Sequence, residues 1–300
     1  MPGEGLPQGL GQLFSDGGAG RVLNVDLPPG RLVVPKDTEP GTAAAYWLSD
    51  GPASPDLWAR LHRAHARSGL WPAFANGLDM RPDRPWVNGE VDPWPMARID
   101  TLGAGDVMEG FWRAYVAGEH LLLEVAGDDP REMIGEIKLD TSDGFPELEP
   151  FGTSCPGLAP AADGGQDPDE FADQQVCATD DGTSRVMLVP AARSADLIAA
   201  VGWKGPCNYT NDMPLLSSVL RSWEERFGAR VVEIGFDILA LTVAWPPVTA
   251  EHAELVAAEH FAFCPDSILQ NQFQSVDIGT IREYAAKAVQ GKNEWLFWWD

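Results

Sequence analysis

Basic residues are scarce in this chain. Its 300 residues include 21 lysines and arginines against 45 aspartates and glutamates, which gives a formal net charge of -24 at pH 7. A protein binds a phosphate backbone through lysine and arginine, so this balance argues against a nucleic-acid partner. An anionic membrane surface is disfavoured for the same reason. A basic protein partner fits this charge better.

The chain also lacks long apolar runs and paired cysteine motifs. No stretch approaches the roughly 18 consecutive apolar residues that span a bilayer. The first residues do not show the basic region and apolar run of a secretory signal. We therefore expect a soluble, cytoplasmic protein without a membrane partner. Its cysteines have no CxxC spacing, and in a reducing compartment we expect free thiols: Cys155, Cys177, Cys207 and Cys264.

The composition changes in the middle of the chain. Residues 140–184 contain no lysine or arginine, whereas aspartate, glutamate, glycine and proline are frequent and apolar periodicity is poor. Such a composition is typical of a solvated linker. We therefore predict an N-terminal α+β domain at 1–139, an acidic linker at 140–184 and a C-terminal domain at 185–300.

Apolar periodicity is clearest in the C-terminal part. The predicted order is strand, helix, strand, strand, helix, strand, with a second helix added to each helical stretch. This order is typical of a ferredoxin-like fold, an antiparallel sheet with helices on one face. We therefore predict an α+β protein in two parts, the second of them ferredoxin-like. The predicted segments are 186–189, 194–201 and 214–227, 230–236, 239–245, 249–263 and 280–289, and 295–299.

Turn and cap residues mark elements in the N-terminal part. Pro28-Pro29-Gly30 separates short apolar runs at 21–27 and 31–35 and predicts a hairpin. Ser54, followed by a proline, predicts the start of a helix that Gly69 ends. This helix carries a basic patch, which we expect either to pair with the acidic linker or to bind an anion: Arg60, His62, Arg63, His65 and Arg67.

The segment Asp100-Thr101-Leu102-Gly103-Ala104-Gly105-Asp106 resembles the signature of ribokinase-type sugar kinases. The resemblance implies that backbone amides meet a phosphate at a helix N-terminus and that Asp106 deprotonates a hydroxyl. Two features depart from that family. The motif follows only about a hundred residues, and Phe111 stands where the family keeps a small residue. The other interpretation is a helix start with Asp106 in its first turn.

Four segments of the C-terminal part occur together in one order: GWKGPCN at 202–208, RSWEERFGA at 221–229, EHFAFCPD at 259–266 and FWWD at 297–300. They resemble family four-two-five-three of the bacterial domains of unknown function, common in actinomycetes. The resemblance covers about Val186 to Asp300. It supports the predicted boundary and a bacterial cytoplasmic setting, and it implies no activity.

His260 and Cys264 are four residues apart on a predicted helix, about 40° apart around its axis, so their side chains point the same way. Such a pair can ligate zinc, with Cys207 or Asp266 as further ligands. The pair could also act as a nucleophile and its base. Because the neighbouring residues are apolar, we expect instead a packed thiol and a hydrogen-bonded imidazole, with no metal or other cofactor bound.

The loop from Trp203 to Asp212 combines aromatic surface with polar, turn-prone residues. Loops of this kind grip ligands or peptides. The other interpretation is an irregular connection in which Trp203 fills the core. The candidate binding residues are Trp203, Cys207, Asn208, Tyr209 and Asn211.

These patterns contain no complete catalytic constellation, so the predicted role is non-catalytic binding. An acidic, tryptophan-rich module suits a basic protein partner, for example as an immunity-type protein that neutralises a cationic toxin. One alternative is a metal-binding protein or hydrolase-like enzyme centred on His260 and Cys264. The other is a sugar kinase that uses the Asp100–Asp106 motif.

Overall fold

The computed structural model describes residues 5–7, 9–118, 144–179, 184–270 and 278–299. In this part of the chain, strands form a single seven-stranded sheet: β1 (Gly30–Val33), β2 (Tyr46–Pro52), β3 (Leu70–Ala75), β4 (Arg185–Pro190), β5 (Ala229–Ile234), β6 (Ile238–Val243) and β7 (Glu294–Trp298). The mixture of strands and helices confirms the predicted α+β class.

Nine α-helices accompany the sheet within the described residues: α1 (Pro55–Arg63), α2 (His65–Ser68), α3 (Ala104–Val116), α4 (Pro168–Thr179), α5 (Leu197–Val201), α6 (Met213–Phe227), α7 (Ala250–Phe263), α8 (Asp266–Leu269) and α9 (Ile281–Tyr284). A π-helical turn, Ala285–Val289, continues α9. None of the described helices has both the length and the apolar character that crossing a bilayer requires.

The strands follow the order β1-β2-β4-β3-β5-β6-β7. All neighbours are antiparallel except β3 and β5, which are parallel. The strand β4, which begins the predicted C-terminal domain, lies between β2 and β3 of the predicted N-terminal domain. The two predicted parts therefore share one hydrogen-bonded sheet, and their strands do not separate at residue 185.

The ferredoxin-like detail of the prediction is not confirmed. Since β4 is antiparallel to β3 and β3 is parallel to β5, β4 and β5 run in opposite directions. A split βαβ unit needs parallel strands on either side of its helix. The sequence pattern predicts the order of the elements along the chain correctly. In the sheet, however, β3 lies between β4 and β5, the two strands that the pattern assigns to one βαβ unit.

Each face of the sheet is covered by its own set of helices. Alternate residues of β4 illustrate the division: Met187 and Val189 face one core, while Val186 and Leu188 face the other. The larger core is closed by α3, α5, α6, α7 and α9. The smaller core is closed by α1 and α4. The period-2 alternation of buried side chains is what places apolar surface on both faces.

Several helices begin or end at the cap residues that the sequence predicts. The Ser54 hydroxyl accepts a hydrogen bond from the Leu57 N–H, and the Thr249 hydroxyl accepts one from the His252 N–H, each at 3.2 Å. Gly69 follows α2 with a φ of 69°, a backbone conformation that glycine adopts without strain. These caps depend on local chemistry, which explains why the sequence alone locates them.

The predicted N-terminal hairpin is wrong. The partner of β1 is β2, and residues 21–27 form no strand. Pairing with the longer β2 buries Tyr46 and Leu48 in the larger core. The free energy gained by this burial exceeds what a local hairpin turn would contribute. A strand predicted at 121–125 lies outside the described residues.

The C-terminal aromatic strand packs as its sequence predicts. In β7, Trp295 and Phe297 are buried, as is Trp299 beyond it, and all three belong to the larger core. The strand pairs with β6 from Glu294 to Trp298. Burying an aromatic side chain removes roughly 150 to 250 Å² from water, so this strand contributes strongly to the core.

The segment predicted as a linker contains the helix α4. Phe171, Ala172 and Val176 are buried under the sheet. Asp167 starts the helix, because its Oδ1 accepts hydrogen bonds from the N–H groups of Asp169 at 2.8 Å and Glu170 at 3.0 Å. Leu148 and Ala159 are also buried. The described portion of residues 140–184 is therefore packed against the rest of the fold.

Candidate functional site

His260 is a core residue. Its ring lies 4.4 Å from that of Trp295 and 5.0 Å from that of Trp223, measured between centroids. Its Nδ1 lies 3.2 Å from the Tyr284 hydroxyl. Burial, followed by the charge of Arg226, lowers the pKa of His260 to about 3. The imidazole is therefore neutral at pH 7, and aromatic side chains surround it.

Cys264 is also buried in the larger core. Its Sγ donates a hydrogen bond to the Trp298 carbonyl at 3.0 Å. Burial raises the pKa of this thiol to about 12, whereas a nucleophile or a metal ligand requires the thiolate. Cys207, proposed as a further ligand, is exposed, and Asp266 is half-buried at the start of α8.

The structure therefore does not bring the four metal candidates into one shell. Among the residues described, no group of three or more histidine, cysteine, aspartate or glutamate side chains is arranged to hold a metal. The zinc hypothesis stays open to a direct metal measurement.

The family-like segments at 221–229 and 259–266 meet in a buried ion pair that sequence reasoning missed. Glu259 is buried and receives two hydrogen bonds from Arg226, at 2.8 and 2.6 Å. It also accepts from the Trp223 indole at 2.8 Å and from the Ala159 N–H at 2.7 Å. The signal in the sequence was Glu259 among the apolar residues of the EHFAFCPD segment. These segments therefore hold α6, α7 and the segment before α4 together.

The charged face of α6 is only partly solvated. Glu225 keeps 68% of its side chain exposed, as expected for a surface residue, but Glu224 keeps only 8%. Glu224 accepts from Arg193 at 2.5 Å and from the hydroxyl of Ser194. Adjacent glutamates on an amphipathic helix predict a solvated face, but Glu224 is buried because the side chain of Arg193, from a distant turn, covers it.

The candidate loop at 203–212 divides into a buried and an exposed part. Trp203 fills the core, donates its indole N–H to the Gly235 carbonyl at 2.9 Å, and contacts Trp299 edge to face. The Tyr209 hydroxyl donates to the Ala262 carbonyl at 2.5 Å, and burial raises the pKa of Tyr209 well above 10. The remaining candidates stay at or near the surface: Cys207, Asn208 and Asn211.

This loop lies beside the segment that resembles the sugar-kinase signature. The ring of Phe111 on α3 is 5.4 Å from that of Tyr209, and Arg98 pairs with Asp212. A groove of about 550 Å³ runs along α3 here. We call it the α3 groove, and its lining is Thr101, Leu102, Gly103, Asp106, Val107, Gly110, Phe111, Arg113, Ala114, Ala117 and Leu215.

The α3 groove is mainly apolar, with charged residues at its rim. Asp106 is exposed in the first turn of α3, as the helix-start interpretation predicts. Asp100, the first residue of the motif, is held by Arg221 at 2.6 Å and does not line the groove. The candidate loop contacts α3 through the Tyr209 and Phe111 rings, whereas the groove itself is lined by residues of the motif, of α3 and by Leu215.

Most arginines are already paired with carboxylates of the same chain. Within the described residues, thirteen arginines have an aspartate or glutamate oxygen within 4.0 Å: Arg21, Arg31, Arg60, Arg63, Arg84, Arg98, Arg113, Arg185, Arg193, Arg221, Arg226, Arg230 and Arg282. Two arginines of the basic patch, Arg60 and Arg63, are among them. Arg63 contacts Asp173 of α4 at 3.0 Å, which confirms for this residue the expected pairing with the acidic segment.

Of the comparisons with known proteins, the one with protein families gives a match and the other two do not. No curated protein matches the chain. No solved structure matches it either. Residues 185–300, which begin at the first residue of β4, match the model of the family described as Domain of unknown function (DUF4253), so this part of the chain is similar to that family.

Proposed function

We propose that this protein is a cytoplasmic, non-catalytic binding module whose partner is a basic protein. The observation that supports it most directly is the arginine pairing. Since thirteen arginines of the described residues already contact carboxylates of the same chain, few arginines remain to attract an anionic partner, and the net charge of -24 leaves an excess of carboxylates. Such a surface attracts a cationic protein and repels an anionic one.

The α3 groove is the docking surface that we propose for this partner. Its apolar lining offers a place for an apolar anchor, and the carboxylate of Asp106 lies at its rim, where a basic neighbour of that anchor would meet it. An interface of this kind combines a desolvated apolar centre with a charged rim. An immunity-type protein that neutralises a cationic toxin would use such an arrangement.

A pull-down with charge-matched variants tests this proposal. The immobilised protein is exposed to a lysate of its host at low and high salt, and retained proteins are identified by mass spectrometry. We expect a basic protein that is released at high salt, because surface charges interact over a Debye length of about 8 Å at physiological ionic strength.

Two variants locate the surface. Asp106→Lys and Asp26→Lys change the net charge equally, and both positions are exposed, but only Asp106 lines the groove. We expect the first variant to lose the partner and the second to retain it. A partner that is acidic, or that resists salt, would contradict the electrostatic proposal. Equal loss in both variants would contradict the location.

A further inference from the structure

Gly110 is a glycine that the described fold does not require. It lies in the middle of α3, is half-buried and lines the α3 groove. Apart from its chain neighbours and the helix's own backbone, no heavy atom of the described residues lies within 4 Å of the place where a Cβ would stand. Gly202 shows the contrast, because its φ is 69° and a Cβ there would lie 1.8 Å from the carbonyl carbon of Asp92. Glycine destabilises a helix interior relative to alanine, so its presence at 110 calls for a reason outside the described chain.

The α3 groove is long and shallow. Along α3 its lining residues recur at spacings of three and four, which places them on one face of the helix: Gly103, Val107, Gly110, Ala114 and Ala117. This face spans roughly 21 Å at 1.5 Å per residue. A volume of about 550 Å³ over that length admits one row of side chains, whereas a helix with its side chains is about 10–12 Å across. An elongated occupant whose backbone stays outside the groove fits this shape.

The charges around the groove favour a basic occupant. Asp106 is exposed in the first turn of α3. Arg113 also lines the groove, but its guanidinium lies 3.0 Å from the Glu109 carboxylate, which offsets its charge. Because the chain carries a net charge of -24, a second copy of it is repelled and a cationic segment is attracted.

We propose that the occupant of the α3 groove is an amphipathic α-helix of the basic partner, and that this helix comes closest to α3 at Gly110. The inference rests on the proposed function and adds the form of the partner's binding segment. Apolar side chains at i, i+3, i+4 and i+7 fit a groove that is lined with the same period. The axes of packed helices are about 8–10 Å apart, depending on the side chains at the contact. Glycine permits the shortest of these distances, so a larger residue at 110 displaces the partner helix.

The thermal stability of the free protein tests whether the fold itself needs this glycine. Gly110→Ala should raise the midpoint of thermal unfolding by about 1–3 °C, because alanine is the better helix former and its Cβ meets open space. Gly110→Leu should not lower the midpoint. An unchanged or lower midpoint in Gly110→Ala, or a lower one in Gly110→Leu, would show that the chain itself uses this space and would overturn the proposal.

Helical peptides of defined sequence test the binding. The probes are lysine-rich peptides of about 16 residues with leucine, methionine or alanine at i, i+3, i+4 and i+7, enough to follow the groove at 1.5 Å per residue. Each control peptide has the same composition in an order without an apolar face. Fluorescence anisotropy measures the affinity, and hydrogen exchange locates the binding. We expect at least one probe to bind more tightly than its control and to slow the exchange of the α3 amides, while the α7 amides do not change.

Matched glycine variants locate the closest approach. Gly110→Leu should weaken binding of the probe about tenfold, because an added side chain overpacks the contact. Gly165→Leu is the control, since Gly165 is exposed and a Cβ there also meets open space, and it should bind the probe as the wild type does. Equal binding of probe and control peptides, or of the probe to the wild type and Gly110→Leu, would overturn the helical occupant. The proposed function would still stand if the host's basic partner were lost in Asp106→Lys.

Discussion

At the scale of single residues, burial decides what a reactive side chain can do. His260 and Cys264 are correctly spaced to act together, yet both are enclosed in the larger core and are uncharged at pH 7. Spacing on a helix predicts that two side chains point the same way, but not whether water or a substrate reaches them. Access to the His260 ring depends on the later strand β7, because its residues Trp295 and Phe297 pack against that ring.

The buried His260 predicts how stability depends on pH. Its pKa is lowered from the ordinary 6.5 to about 3 by burial, so the folded state disfavours the proton that the unfolded state binds. Stability should be constant with respect to this group above about pH 6.5 and should fall by about 1.4 kcal/mol per pH unit below it. Urea unfolding of the wild type and His260→Gln between pH 4.5 and 7.5 measures this.

The stability difference between these two proteins should be largest at pH 7.5 and should shrink as the pH falls. Other groups titrate in both proteins alike, so they cancel in this comparison. A difference that does not vary with pH would show that the pKa of His260 is the same in the folded and unfolded states, so that its ring is not buried in solution.

At the scale of secondary-structure elements, a buried ion pair joins two helices. Arg226 of α6 and Glu259 of α7 keep only 14% and 1% of their side chains exposed. A buried charge that loses its partner costs about 3–5 kcal/mol, whereas removing both charges costs much less. This asymmetry provides a test of whether the pair is buried in solution.

A double-mutant cycle applies this test. We expect Arg226→Met to lower the free energy of unfolding by about 3–5 kcal/mol, and the double variant with Glu259→Gln to recover part of that loss. Arg282→Met is the control, because Arg282 makes two ion pairs but keeps 53% of its side chain exposed, and surface pairs contribute about 0–1 kcal/mol. Equal costs for Arg226→Met and Arg282→Met, measured by urea unfolding, would contradict a buried pair.

At the scale of the whole molecule, one sheet joins the two predicted parts. The strand β4 pairs with both β2 and β3, so the parts are expected to stay together when the segment between them is cut. A protease site inserted between Gly164 and Gly165, both exposed, provides the cut. After cleavage the fragments should co-elute in size-exclusion chromatography under native conditions and separate in urea.

A matched control carries the same insertion with a scrambled, uncleavable sequence. It should elute at the same volume before and after protease treatment. Separation of the two fragments in native buffer would show that the parts are independent, as the sequence composition alone suggests.

Local chemistry determined a large part of this protein from sequence alone. Cap residues such as Ser54 and Gly69, the two strands at 230–236 and 239–245, and the aromatic strand at 295–299 were predicted correctly, because each depends on neighbouring residues and on periodicity. The family-like segments were also visible in the sequence, and the family match over 185–300 confirms them. Net charge, and with it the class of partner that we propose, needs no structure at all.

The tertiary structure decided the rest, because those features join residues that are far apart in the chain. Strand order depends on which apolar faces find each other, so β3 could insert between β4 and β5. The acidic, proline-rich segment predicted to be a linker contains α4. This helix is held against α1 by contacts with His62 and Arg63, which lie more than a hundred positions earlier in the chain. The α3 groove likewise forms where Leu215 of α6 lies beside α3 and the Asp100–Asp106 motif, more than a hundred positions earlier in the chain. Pairing energies across such distances depend on geometry, which composition and periodicity do not contain.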